Sequence, residues 1–108
     1  MKNDAVVLEK MCKHCKNIML YTAKVKRETF LADEKEQYAI CMALVQVGEL
    51  SSTLSDAYKS SHAEIPWQKI KSARNVIVHG YGSLDMPTIW SVATVDVPVL
   101  YQTIKQVD

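Results

Sequence analysis

Glycine and proline are scarce in this chain, three of each in 108 residues, whereas a sandwich or barrel of many short strands needs them at every corner. With so few breakers, the composition leans towards helices. Cysteine occurs three times, an odd number without the spacing of a disulfide framework, so a reduced, cytoplasmic setting is expected. The opening MKNDAVVLEK has no apolar stretch of the signal-peptide kind. No apolar run approaches the roughly 18 residues that span a bilayer, so no membrane role is expected. An excess of one charge is lacking too: 13 Lys and Arg against 12 Asp and Glu leave +1, so attraction for a polyanion must be local. Apolar residues are plentiful at 48%, enough for one packed core and a single domain over residues 1–108.

Between Asp4 and about Lys26, Val7, Met11, Cys15, Ile18 or Met19, Thr22 and Val25 recur at steps of three and four. This spacing predicts an amphipathic helix, and Lys10, Lys13, Lys16 and Lys24 on its other side read as solvated surface. Asp33 with Glu36 three residues later predicts a capping box and a second helix running through Ile40, Leu44 and Val47 to roughly Tyr58. Its apolar residues occupy more than one stripe, so part of that surface is expected to face a second copy in a homodimer. Gly48 inside this helix costs roughly 1 kcal/mol against alanine unless another backbone comes close, which predicts a packing contact there. A polar loop over residues 60–64 leads to Pro66, the expected start of a third helix that stops around His79 to Tyr81, where Gly80 and Gly82 follow. A last segment opens at Met86 and is interrupted by Asp96 and Pro98, giving two short helices or one kinked one. The fold class expected is all-α, an antiparallel up-and-down bundle of four to five helices.

The densest polar cluster is Arg74, Asn75, His79 and Tyr81, with Lys69 and Lys71 nearby as candidate contacts to a polyanion. Residues 59–81 hold Lys59, Lys69, Lys71 and Arg74 against Glu64 alone, a local departure from neutrality. At about 100° per residue, Asn75 and His79 lie one turn apart, and Tyr81 aligns with Arg74 if the helical twist continues past Gly80. Such a face suits a phosphodiester: a guanidinium offers a rigid fork to two phosphate oxygens, and a neutral imidazole takes a proton from an attacking hydroxyl. RNA carries that hydroxyl at its 2′ position. The same residues admit a plainer account, in which Arg74 forms a surface ion pair, Asn75 and His79 cap the helix and Tyr81 packs its ring.

Other candidates are weaker. Cys12, His14 and Cys15 invite a metal, but a fourth ligand would have to come from Cys41 or His62 by tertiary accident, so neither metal nor cofactor is expected. Cys15 and Cys41 read as core residues, His14 as exposed and His62 as a solvated loop residue. Trp67 and Trp90 sit at core spacing, and no glycine-rich phosphate loop precedes a helix.

The run R-N-x-x-x-H-x-Y, here Arg74, Asn75, His79 and Tyr81, resembles the signature of HEPN-domain ribonucleases, and within them the HepT-like toxins. Val47-Gly48-Glu49 resembles the family's apolar-Gly-Glu on its second helix, Ile65-Pro66-Trp67 followed by Ile70 its I-P-W-x-x-I lead-in, and Trp90 and Pro98 fall where the family has them. Gly80 and Gly82 depart from the polar and aromatic residues frequent there. The resemblance implies a homodimeric helical endoribonuclease toxin that cuts RNA without a metal, with Arg74 and His79 in an intersubunit cleft. It also implies a minimal nucleotidyltransferase antitoxin, which can transfer AMP onto Tyr81. On this reading His79 is the general base, Arg74 the phosphate clamp and Asn75 an orienting partner. Two other readings stay open: a non-catalytic helical module that binds a nucleotidyltransferase and its substrate, and a purely structural bundle.

Overall fold

The computed structural model describes residues 3–105, and among them every regular element is helical. Helix α1 spans Asp4–Lys24, α2 Arg27–Ala32, α3 Glu34–Ser51, α4 Asp56–Ser61 and α5 Trp67–Gly80. A 3₁₀ turn over Tyr81–Ser83 leads to α6, Met86–Ser91, which runs through a π-helical turn, Val92–Asp96, into α7, Val97–Ile104. The last three behave as one irregular helix. Together with α1, α3 and α5 they make the expected up-and-down bundle, to which α2 and α4 add short segments.

Helix α3 is the middle of the bundle, packed on α1 along one side and on α5 along the other, while α1 also meets α7. Its burial on two sides follows from that position: Ile40, Ala43, Leu44, Val47 and Gly48 are all inside. From α1 come Leu8, Met11, Cys15 and Ile18, from α5 Ile70, Ala73 and Ile77, and from the last helix Ile89, Val97 and Leu100. The antiparallel sense of α1 and α3 is pinned at one end, where Asp4 in the first turn of α1 accepts from Ser55 N (3.0 Å) and Ser55 Oγ (2.6 Å), just beyond the end of α3.

Several boundaries differ from expectation, each for a local reason. The second long helix stops at Ser51 rather than Tyr58, because Ser51, Ser52 and Thr53 turn their hydroxyls onto the carbonyls of Gly48, Glu49 and Leu50. These bonds supplement the backbone N–H groups that Gly48 O and Leu50 O already accept and supply a donor to Glu49 O, as side chains at helix ends commonly do. Ser55 then caps a new helix, accepting from Tyr58 N at 3.1 Å, so Ser60 and Ser61 are helical and not loop. Asp33 caps α3 through Lys35 N (3.0 Å), but its own N–H donates to Phe30 O, so the reciprocal half of the capping box is replaced by a bond to α2. Helix α2 itself is too short to show a period. Pro98 lacks the N–H that an unbroken α-helix needs; the preceding π turn, with Val97 N–H donating to Val92 O, absorbs the mismatch and keeps the chain helical.

His62 is half-buried and not solvated: its ring stacks on Tyr58 with centroids 4.1 Å apart, and Nδ1 lies 2.9 Å from Tyr58 O. His14 likewise is half-buried. The thiols of Cys15 and Cys41 are in the core, as expected, and burial pushes them up to about 12 and about 11. They stay protonated at neutral pH, and among the described residues no three His, Cys, Asp or Glu side chains converge as a metal set. Trp67 packs against the core with Nε1 donating to His62 O at 3.1 Å, and Trp90 tilts onto Phe30 with centroids at 5.1 Å. No helix among the described residues is long and apolar enough to cross a membrane.

Candidate functional site

The site is built where α3 and α5 come closest. Gly48 makes the approach possible: a Cβ placed there would lie 2.4 Å from Arg74 Cβ and 2.9 Å from Cγ. The stem of Arg74 therefore lies across the bare backbone of α3, and the next residue, Glu49, meets the head. Glu49 Oε2 accepts from Arg74 Nε at 3.0 Å and from Nη2 at 2.5 Å. On the other side Arg74 Nη1 donates to Asn75 Oδ1 at 2.9 Å. All three guanidinium nitrogens are engaged, yet the group carries five N–H bonds, so donors remain on its outer edge. The Arg74 side chain is 27% exposed, enough for an anion to reach it.

His79 lies in the last turn of α5, one turn beyond Asn75 and exposed. Five residues of helix place it about 7.5 Å further along the axis than Arg74. Lys71 is exposed one turn before Arg74. Lys69 is spent differently: its Nζ lies 3.1 Å from Oδ2 of the buried Asp96, in the π turn, and donates to Oδ1 at 3.4 Å. Its charge therefore neutralises an inward carboxylate on another side of α5.

At Gly80 the backbone adopts φ −147 and ψ 39, and the chain tightens into the 3₁₀ turn. Arg74 and Tyr81 both meet α3, the first at Gly48 and Glu49 and the second at Tyr38. The Tyr81 ring stacks on Tyr38 of α3, centroids 5.2 Å apart and planes 17° from parallel. Its hydroxyl is buried without a hydrogen-bond partner among the described residues, and burial, then Cys41, Tyr38 and Glu34, pushes the phenol up. Beside it, Met42 is 61% and Tyr38 54% exposed. With Val45, Ile77 and Tyr81 they line an apolar groove between α3 and α5.

Within α5, Asn75 and His79 share the outer side, whereas Arg74 turns towards α3, about 140° from His79 around the helix axis; Lys69 is drawn to Asp96 and Tyr81 stacks on Tyr38. Two residues were not assigned roles from sequence, Glu49 and Tyr38. Glu49 had a usable signal: it follows the glycine that marks the close approach, and the first side chain past such a contact faces the crossing helix. A held guanidinium with free outer donors and an accessible imidazole can clamp a phosphodiester and take a proton from a nearby hydroxyl.

Comparison with known proteins gives a consistent result. Residues 11–107 match the family model described as "Ribonuclease HepT-like". A Thermococcus cleftensis protein named "Probable ribonuclease HepT" is 32% identical over 93 residues, covering 86% of this chain and 84% of that protein. A Caldanaerobacter subterraneus protein named "Putative RNase" is 23% identical over 107 residues, 99% of this chain and 96% of its own. One from Methanocaldococcus jannaschii with the same description is 22% identical over 89 residues, 82% of each chain. No solved structure gives a significant match.

Proposed function

The chain belongs to the HepT-like ribonuclease family, and from that membership we propose that it is a metal-independent endoribonuclease attacking RNA through the substrate's own 2′ hydroxyl. Ribonuclease activity stands at the level of the family; the roles that follow are our reading of the side chains. The imidazole of His79 takes the 2′ proton, the 2′ oxygen bonds to the adjacent phosphorus, and the bond from phosphorus to the 5′ oxygen breaks. That oxygen takes a proton from solvent, leaving a 2′,3′-cyclic phosphate and a 5′ hydroxyl. Arg74 donates its free N–H groups to the non-bridging oxygens as their charge develops, and Asn75 holds it in place. The observation that carries the reading is the guanidinium fixed between Glu49 and Asn75, with outer donors to spare, on the same helix as an exposed imidazole one turn beyond Asn75.

We read the protein as a cytoplasmic toxin paired with a minimal nucleotidyltransferase antitoxin. The apolar groove at Tyr38 and Met42 supports a homodimer that covers it and brings two Arg74–His79 pairs to one cleft. Tyr81 is the acceptor for AMP in this reading: its oxygen attacks the α-phosphorus of ATP and pyrophosphate leaves. Its hydroxyl is buried in the single chain, so the ring must leave Tyr38 first. One observation favours the non-catalytic module instead: Glu49 already neutralises Arg74.

Cleavage of labelled RNA in EDTA by the purified protein decides between them. The expected result is 2′,3′-cyclic ends, with His79→Ala and Arg74→Ala each at least ~100-fold slower. Intact wild-type substrate, 3′-hydroxyl ends or full activity in His79→Ala overturns the catalytic reading. Co-expression with the antitoxin should add AMP to the wild type and not to Tyr81→Phe.

A further inference from the structure

The strongest positive patch of the molecule lies away from Arg74. From residue 9 to residue 28 the chain carries Lys10, Lys13, Lys16, Lys24, Lys26 and Arg27 against Glu9 and Glu28. The whole chain is +1, so everything outside this segment is net negative. All six cations are exposed. Among the described residues the ion pairs are Lys69 with Asp96 and Arg74 with Glu49, so none of the six has an acidic partner.

Their arrangement is ordered. At about 100° per residue, Lys10, Lys13, Asn17, Leu20, Tyr21 and Lys24 fall on one stripe of α1, opposite the buried Met11, Cys15 and Ile18. Lys16 flanks the stripe across a shallow cleft shared with Lys13 and Leu20. From Lys10 to Lys24 the line is about 21 Å long at 1.5 Å per residue. Tyr21 is 40% exposed and sits between the cations. Beside the stripe, burial and then the Lys13 charge hold the His14 imidazole below its ordinary value.

Lysines are depleted at the centres of protein–protein interfaces. A row of unpaired, flexible ammonium groups suits instead a polymer of phosphates read without regard to sequence, and an aromatic ring in that row suits stacking on a base. We propose that the outer face of α1 is a binding track for the backbone of single-stranded RNA, with Lys10, Lys13 and Lys24 on phosphates and Tyr21 on a base. The track deepens the ribonuclease reading and rests on it for the identity of the polyanion. Helix α3 lies between α1 and α5, so the track holds substrate outside the Arg74 site.

The test is fluorescence anisotropy with a labelled 2′-O-methyl RNA of about 20 nucleotides, titrated at several salt concentrations. Each phosphate contact on a single strand contributes about −0.7 to the slope of log K against log salt. The triple variant Lys10→Gln, Lys13→Gln, Lys24→Gln should therefore flatten the slope by about 2 and weaken binding at least ~10-fold at low salt. Tyr21→Ala should weaken binding about 5-fold without altering the slope. Cleavage of a dinucleotide, too short to reach α1, should be unchanged in the triple variant, and so should its thermal midpoint, because the three side chains are exposed. An unchanged slope overturns the proposal, as does tight binding to phosphatidylserine vesicles with none to RNA. The binding readout needs no cleavage, so it stands apart from failure of the catalytic reading: inert wild-type protein that still binds RNA with the predicted slope supports the track and removes the catalysis.

Discussion

Replacing Glu49 separates the two things its carboxylate does to Arg74. It orients the guanidinium through two nitrogens, and it places a negative charge beside the position where a phosphate would sit. Glu49→Gln keeps an acceptor oxygen and removes the charge; Glu49→Ala removes both. With the phosphate about 6 Å from the carboxylate, the repulsion is about 0.7 kcal/mol at the dielectric constant of water and about 2.8 kcal/mol at an effective value of 20. Glu49 is 49% exposed, so the lower figure applies, and at about 1.4 kcal/mol per factor of ten it corresponds to about a threefold change in affinity. Steady-state cleavage of a short RNA should thus show Glu49→Gln with KM lowered about threefold and kcat near wild type. Glu49→Ala should lower kcat about tenfold, because a guanidinium free to swing loses its preorganisation. The midpoint of thermal unfolding should move little in either, since a half-exposed ion pair is worth about 0.2–1 kcal/mol. A raised KM in Glu49→Gln, or wild-type kcat in Glu49→Ala, would refute the assignment of Glu49 as the group that positions Arg74.

Gly48→Ala gains about 1 kcal/mol of helix propensity but forces a methyl to 2.4 Å from the Arg74 stem, a backbone-near contact that cannot swing aside. Overpacking costs about 1–3 kcal/mol, and a carbon held this close to a Cβ takes the upper part of that range, so calorimetry should show a net loss of about 1–2 kcal/mol and a midpoint lower by about 4 °C or more. Gly82→Ala, with nothing within 4 Å of the added carbon, is the control and should leave it unchanged. Lys69→Met should lower stability by about 1–2 kcal/mol in urea titration, because Asp96 is left buried without its cation; Lys71→Met should spare stability and raise KM for RNA. The thiols set the alkaline limit: Cys15 and Cys41 are raised from 9.0 to about 12 and about 11 in the folded state. The unfolded chain therefore releases these protons first, and their contribution is complete below pH 9 and lost as pH rises from there towards 11–12. Urea midpoints at pH 8 and pH 10 should diverge in the wild type and much less in a Cys15→Ala, Cys41→Ala variant.

Features legible in the chain were those with a period or a breaker. The limits of α1 and α5, the Asp33 cap, the two-sided burial of α3 and the close approach at Gly48 all followed from spacing and from where glycine and proline stand. Helices α2 and α4, six residues each, are too short to show a period. The end of α3 depended on three hydroxyls bonding back to their own helix, which single-residue propensities do not reveal. The stacking of Tyr81 on Tyr38 was not legible because it depends on the turn after Gly80, and a glycine can end a helix as easily as continue it.

The sequence by itself determined that the chain is a helical bundle and that Asn75 and His79 share one side of a helix, because an i, i+4 relation is settled within a single element. Only tertiary structure decided which cations are free. Lys69 is drawn to Asp96 and Arg74 to Glu49 across helix contacts 25 to 27 residues apart in the chain, whereas the lysines of α1 have no acidic partner among the described residues. Ion pairing depends on distances between elements, and no local pattern encodes those.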